Sequence, residues 1–360
     1  MNVLIHIGHP AHVHFFKNII FALKKHGHKV RIITRKKDIT LQLLDLYGFE
    51  YTTFNFFSTS LAGKILDLMK TDFLIFGIAR EFRPDVMIGI GLPSITHVGW
   101  LLRIPSIFIT DTEDAKLANN LAQPFASVMC TPACFTLDFG EKHVRFNGFK
   151  ELASLHPRYF TPDPSVPEEL GIKKGDRYIV VRRISYDAHH DIGLKGIKKE
   201  NEFFNQLEKY GRIFVNSEKS QNSTPSKYDY TLSPEKFHSL LAFASLYIGE
   251  GGTTAAEAAM IGIPSIHIES TSQGTATGEL SGNFKELRDT YGLLYYYASM
   301  EEAMKKGIAI LENPQSKTEW QQRRDRFIGD KIDVTAWFTD FIERYPESFY
   351  QYKKENLALK

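Results

Sequence analysis

The sequence predicts an α/β protein made of two doubly wound parallel-sheet domains that face a cleft. Three observations predict it. A chain of 360 residues is too long for one ordinary hydrophobic core. Short β-branched runs alternate with longer segments of helical periodicity, the pattern of a parallel sheet covered on both faces. That alternation lapses once, over residues 156–176, and then restarts, so two similar halves are joined by a linker.

The elements follow in order. "NVLIHI" from Asn2 is a strand, and "HFFKNIIFALKKHG" continues as a helix with Gly27 in the stop position. The next helix start is expected near His14, after a turn stiffened by Pro10. "KVRIIT" is a strand, "DITLQLLDLYG" a helix ending at Gly48, and "PDVMIGI", "PSIFIT" and "ASVMCT" repeat the strand theme. "HPRYFTPDPSVPEELGIKKGD" holds four prolines and reads as the linker. "RYIVVR", "GRIFVN", "LYIGEGG", "IPSIHIE" and "GLLYYY" are the strands of the second half. The expected boundaries are 1–160 for the first domain, 161–176 for the linker, 177–332 for the second domain, and 333–360 for a terminal helix and tail. In open α/β sheets ligands bind outside the C-terminal ends of the strands, which places the chemistry at those edges.

Composition narrows the function. Lysine plus arginine number 44 against 42 for aspartate plus glutamate, a balance that gives no reason to expect nucleic acid as a partner. Cys130 and Cys134 are too few for a disulfide framework or a structural zinc site. Their spacing suits a helix face or a turn, and they are expected as two buried thiols. "MNVLIHIGHP" lacks the basic region of a signal peptide, and the apolar runs break well before spanning length, so a reduced cytoplasmic compartment is expected.

"IGEGGTTAAEAAMIGIPSI" runs from a strand through glycines into a helix and back to a strand. Gly251 and Gly252 lack a Cβ and let backbone N–H groups approach an anion, while Thr253 and Thr254 stand where hydroxyls and helix-start amides meet a phosphate. Glu257, about one turn on, is placed to take the two hydroxyls of a ribose. A tight turn with threonine as N-cap is the competing reading. Neither a Walker lysine nor a G-x-G-x-x-G pattern is present, against ATPase and dinucleotide readings. Glu250 precedes the glycines, and its carboxylate would repel a diphosphate unless it turns away or binds through a cation.

The Gly-Gly-x-x-x-x-Glu-Ala stretch ending in Gly-x-Pro resembles the nucleotide-sugar loop of glycosyltransferase-B enzymes and of the UDP-N-acetylglucosamine 2-epimerases that share their fold. "LSPEKFHSLLAFASLYIG" resembles the segment near the nucleoside in the same group. "GHPAHVHFFKN", "TDTEDAKLANNLAQPFA", "GFKELASLHP" and "YDAHHDIG" together resemble an uncharacterised prokaryotic family of that superfamily. The resemblance implies two facing Rossmann-like domains, with the nucleotide held by the second: the diphosphate on Gly251–Thr254 and the ribose on Glu257.

Three constellations carry the candidate chemistry. In "HIGHPAHVHFF" the loop after the first strand presents His9, His12 and His14, with His6 expected as a satisfied core residue. "AHVHFF" resembles the Gly-Gly-His-Val stretch of lipid-sugar transferases, which puts His12 on that loop's histidine. Histidine suits a general base near neutral pH, so His12 is the expected catalyst and His9 and His14 substrate contacts. Zinc ligation by the three histidines is the less favoured reading, because no carboxylate is interleaved. "FITDTEDAKLANN" sets Asp111, Glu113 and Asp114 at the same sheet edge. Asp111 and Glu113 read as catalytic acids with Thr112 as a substrate contact, or Asp111 as a helix N-cap. In "VVRRISYDAHHDIG", Arg182 or Arg183 can neutralise phosphate, with strand alternation sending one of them away. His189 and His190, the latter expected to be catalytic, resemble in position the histidine-bearing loop of the 2-epimerases, and Asp191 can fix a tautomer.

The expected function is nucleotide-sugar-dependent glycosyl transfer in glycan or glycolipid synthesis, with the runner-up a UDP-sugar 2-epimerase or hydrolase. A non-catalytic sugar-nucleotide binder is the third reading. No cofactor or metal is expected, the UDP-linked sugar being substrate and a saccharide or glycolipid the acceptor. "TFNFFSTSLAGKILDLMK", aromatic with Lys64 and Lys70, allows peripheral contact with the inner face of a membrane, though core packing is the more ordinary use of such residues. Oligomeric state is not readable from the sequence.

Overall fold

The structure, a computed structural model, describes residues 1–360 except 57, 59, 184–199, 218–226 and 359–360. It divides into two compact units, Met1–Ser154 with Ile332–Lys360, and Leu155–Lys331.

Seven parallel strands form the first sheet: β1 (Asn2–Ile7), β2 (Lys29–Arg35), β3 (Tyr51–Phe54), β4 (Val86–Ile90), β5 (Ser106–Ile109), β6 (Val128–Pro132) and β7 (His143–Phe146). Their order is β3-β2-β1-β4-β5-β6-β7. Ile5 lies in register with Ile32 on one side and Ile88 on the other, so the centre of the sheet is a continuous apolar layer. The order reverses beside β1, which makes the loop after β1 a topological switch point, the position where such sheets bind ligands. Helices α1 (Pro10–Lys25), α2 (Asp38–Leu46), α3 (Leu61–Phe82), α4 (Ser94–Leu102) and α5 (Lys116–Ala122) connect the strands.

Helix α1 starts earlier than expected, at Pro10 and not near His14. Proline occupies the first turn and the His9 side chain is the cap, its Nδ1 accepting from the Ala11 N–H at 3.2 Å. Strands β3 and β7 carry too little apolar alternation for the sequence to single them out. Both are four-residue edge strands. Cys130 is buried on β6 and Cys134 is partly exposed in the turn beyond it, so the two thiols share neither a helix face nor full burial. The C-terminal segment is built into this unit. Phe338, on helix Val334–Glu343, meets Phe15 of α1 edge-on at 5.1 Å, and Thr335 donates to the Ala153 carbonyl at 2.7 Å.

The second sheet has five parallel strands: β8 (Tyr178–Arg183), β9 (Arg212–Ser217), β10 (Leu246–Gly249), β11 (Ser265–Ile268) and β12 (Leu294–Tyr297). The order is β12-β11-β10-β8-β9, so the reversal falls between β8 and β10, and the Gly-Gly loop leaves β10 at that point. A short helix, Ser165–Glu169, occupies the proline-rich segment before β8.

His6 departs from the expected satisfied core residue. It is 3 % exposed on β1, its ring lies 5.9 Å from that of Phe54, and its Nδ1 has no hydrogen-bond partner. Burial pushes its pKa down to about 4, against a smaller upward pull from Asp72. An unfolded histidine takes up its proton near pH 6.5, before the folded one does. Stability present above pH 6.5 is therefore lost as the pH falls toward 4, by about 3 kcal/mol in all. His6→Phe should flatten that part of the loss when urea unfolding is compared at pH 7 and pH 4.5. An unchanged pH difference in the variant would contradict a buried neutral His6.

Candidate functional site

Close backbone approach builds the second-unit loop. Gly249 has φ 155°, and a Cβ there would lie 2.3 Å from the Arg182 carbonyl oxygen. Gly251, at φ 89°, caps helix Gly252–Ile261, and no side chain satisfies that cap. Thr253 and Thr254 sit in the first turn, half-buried, and do not serve as the N-cap. Helix-start amides without a side-chain cap, on the positive end of the helix dipole, suit an anion. The loop is pinned from below by Tyr247, whose hydroxyl donates to the Glu250 carbonyl at 2.8 Å and reaches that of Gly251 at 3.3 Å. The Glu250 N–H donates to the Arg182 carbonyl at 2.9 Å, and the Glu250 side chain is buried, which takes the carboxylate off the loop surface. Gly252 packs against the Phe284 ring, 3.2 Å from where its Cβ would stand.

Arg182 is in register with Gly249 and Asn216, and its guanidinium donates to the Asn216 side-chain oxygen. Its charge acts on Tyr247, so it is the arginine on the loop's side of the sheet. Arg183 projects from the opposite face by strand alternation. Glu257 is buried, with Oε1 3.2 Å from Nε2 of His238.

In the first unit, Asp111 meets an unexpected Lys150, and His9 lies beside His12. Lys150 Nζ lies 2.5 Å from Asp111 Oδ2 and 3.5 Å from Glu151 Oε1. Burial disfavours the charge on Lys150, but Asp111 and Glu151 outweigh it, and its pKa rises. His12 Nδ1 accepts from the Gly8 N–H at 3.3 Å, which assigns its proton to Nε2. Burial, then the neighbouring His9 and Lys150, hold His12 well below the usual histidine range, so it is neutral. The His9 and His12 rings are 6.0 Å apart.

The His14 ring meets that of Tyr47 at 6.4 Å in a T-shaped contact. Asp111 is not an N-cap: α5 begins only at Lys116, with Ala115 in the cap position. Thr112 is exposed and donates to Asp111 Oδ1 at 3.3 Å. Glu113 is buried and accepts from the Thr136 N–H at 3.1 Å. His189, His190 and Asp191 lie outside the described residues. Among the described residues no three His, Cys, Asp or Glu side chains form a group that could hold a metal ion, and no helix is long and apolar enough to cross a membrane. Sequence reading did not single out Lys150, Glu151, Tyr247 or His238. Lys150 and His238 meet partners distant in the chain, Tyr247 holds backbone carbonyls, and Glu151 matters only through the neighbouring Lys150.

The two glycine contacts differ in kind. Gly249→Ala drives a methyl group into backbone and should destabilise the protein by about 2 kcal/mol or more. Gly8→Ala meets only the flexible end of Leu92 at 3.1 Å and should cost well under half as much in the same chemical unfolding measurement. Equal costs would contradict the loop geometry.

Comparisons with known proteins agree with this architecture. The family described as "Protein of unknown function (DUF354)" matches residues 1–275. An uncharacterised protein of Methanocaldococcus jannaschii is 26% identical over 280 residues, which cover 74% of this chain and 81% of the relative. Among solved structures, UDP-GlcNAc 2-epimerase from Neisseria meningitidis bound to UDP-GlcNAc superposes with a TM-score of 0.67 at 13% identity, covering 96% of this chain and 100% of that one. The MnaA–UDP structure of S. aureus gives 0.68 at 9%, covering 96% and 97%. The spinosyn rhamnosyltransferase SpnG with spinosyn aglycone gives 0.57 at 13%, covering 93% and 98%. Identities this low establish the fold: the two units are the Rossmann-like domains of the glycosyltransferase-B architecture that these epimerases and transferases share. By the match over residues 1–275, the chain belongs to the DUF354 family of proteins of unknown function.

Proposed function

We propose that this protein is a nucleotide-sugar-processing enzyme of the 2-epimerase or hydrolase type, acting on a UDP-linked sugar, and not an acceptor-dependent glycosyltransferase. The observation that carries the choice is the state of His12. Transfer needs a base to deprotonate an acceptor hydroxyl, and the base expected for it was His12 or a member of the Asp111–Glu113 pair. With Nδ1 taken by the Gly8 N–H and the proton on Nε2, His12 offers a hydrogen-bond donor in place of a base. The base role falls to the acids. Lys150 holds the Asp111 carboxylate in place as an acceptor. The higher fold similarity to the 2-epimerases than to the rhamnosyltransferase supports the same reading.

In this mechanism Asp111 takes the proton from C2 of the sugar. The C2–H electrons form the C1=C2 bond, and the C1–O bond breaks with its pair leaving on UDP. Return of a proton on the other face and re-addition of UDP gives the epimer, whereas addition of water gives hydrolysis. The amides of Gly252, Thr253 and Thr254 with Arg182 stabilise the departing diphosphate, and Glu257, steadied by His238, takes the ribose hydroxyls. His9, Thr112, Glu113, His189 and His190 are proposed as further substrate contacts or proton carriers. No acceptor, glycolipid or membrane enters this scheme.

Incubation with UDP-N-acetylglucosamine alone should release UDP or form the 2-epimer. Turnover that strictly requires an added acceptor would return the chemistry to transfer. UDP should raise the melting temperature of the wild type, and Glu257→Ala should weaken UDP binding about tenfold or more with the fold intact. Asp111→Asn should lower turnover by about 100-fold or more while leaving UDP affinity nearly unchanged.

A further inference from the structure

Helix α3 has two apolar faces. One packs inward through Ile75 and Ala79 against Leu4, Ile33, Met87 and Ile95. The other leaves Ile65, Leu66, Met69 and Phe73 at 54, 55, 61 and 81 % exposure. Leu66, Met69 and Phe73 follow one another at about a helical turn, and with Ile65 beside Leu66 they form a stripe. The stripe borders an open groove of about 690 Å³ that also takes in Phe56, Gly77 and Glu81. Helix α4 is tied to α3 by the Asp72–His97 ion pair at 2.8 Å, and it exposes Trp100 and Leu101. Isolated exposed apolar residues are ordinary, but four along one face of a single helix make a patch.

We propose that the outer face of α3 is the interface through which two copies of this chain pair about a twofold axis. The face is complementary to itself. An antiparallel crossing centred on Phe73 sets Met69, four residues before it, over the second copy's Gly77, four residues after. Gly77 is exposed, and no atom lies within 4 Å of where its Cβ would stand, so it forms a seat for the methionine. The same crossing lays Leu66 and Ile65 along the aliphatic stems of the second copy's Arg80 and Glu81. Charge points to the same occupant. Helix α3 carries Lys64, Lys70 and Arg80 against Asp67, Asp72 and Glu81, a balance that suits a copy of itself and gives an anionic lipid surface no net attraction.

Light scattering and sedimentation of the full-length chain at tens of micromolar test this. The wild type should have twice the mass of a single chain. Phe73→Glu and Gly77→Leu should each have the single-chain mass, with unchanged circular dichroism. Phe73 and Gly77 are exposed within one chain, so both variants should fold. A monomeric wild type would overturn the proposal, as would a dimer that persists in both variants. Co-sedimentation of a monomeric wild type with vesicles of phosphatidylglycerol and phosphatidylcholine, lost in Phe73→Glu, would also overturn it and assign the face to lipid.

Discussion

The buried contact between Lys150 and Asp111 is the interaction on which the first-unit site depends. It joins the loop after β5 to the segment after β7, 39 residues apart, and both side chains are largely shielded from water. Taking two charges out of water is costly, and removing one of a buried pair typically costs about 3–5 kcal/mol because the other is left uncompensated. Such a contact is poor value as a stabiliser, since an apolar pair of similar volume can do as well. Its use here is positional. Glu151 supplies a second carboxylate, and the lysine between the two stays charged despite its burial.

The same cation shapes His12. Burial alone disfavours the imidazolium, and the positive charge of Lys150 adds to that, so the ring beside the cluster is kept neutral. One cation therefore meets an acid and adds, after burial and His9, to what keeps His12 neutral. In the second unit, backbone contact replaces charge as the constraint. The peptide of Arg182 passes so close to Gly249 that any side chain there would collide with it, and this brings the arginine strand beside the loop that Tyr247 holds. The start of the helix after Gly251 and the strand that carries Arg182 are neighbours because two backbones must touch.

Much of the fold could be read from the sequence for a simple reason: the central strands of a parallel sheet are buried on both faces. "VMIGI" and "YIVV" are apolar runs, and "LIHI" is interrupted only by the buried His6, so all three bear directly on their environment. The edge strands β3 and β7 are short and half-wet, and they carry no such signal. At the site, residue type was informative where chemistry and chain proximity coincide. The Gly251–Glu257 loop is one continuous segment, and its turn, helix start and acid are visible together. The role of His12 was not, since it depends on which ring nitrogen the Gly8 N–H occupies. Lys150 was invisible for a related reason: a lysine in "GFKELASLHP" looks solvated until the fold places it against Asp111. His238 lies in a quoted segment, but only the helix geometry aims it at Glu257.

Proton abstraction at C2 by a carboxylate, with His12 as a neutral donor, is the central claim, and solvent isotope exchange tests it directly. The wild-type protein is incubated with UDP-N-acetylglucosamine in D₂O, and the recovered sugar is examined by mass spectrometry and proton NMR. Deuterium is expected at C2, and at no other carbon, in the wild type, and is expected to be lost in Asp111→Asn. Release of UDP with hydrogen fully retained at C2 would contradict it, because the C1–O bond would then break without removal of the C2 proton.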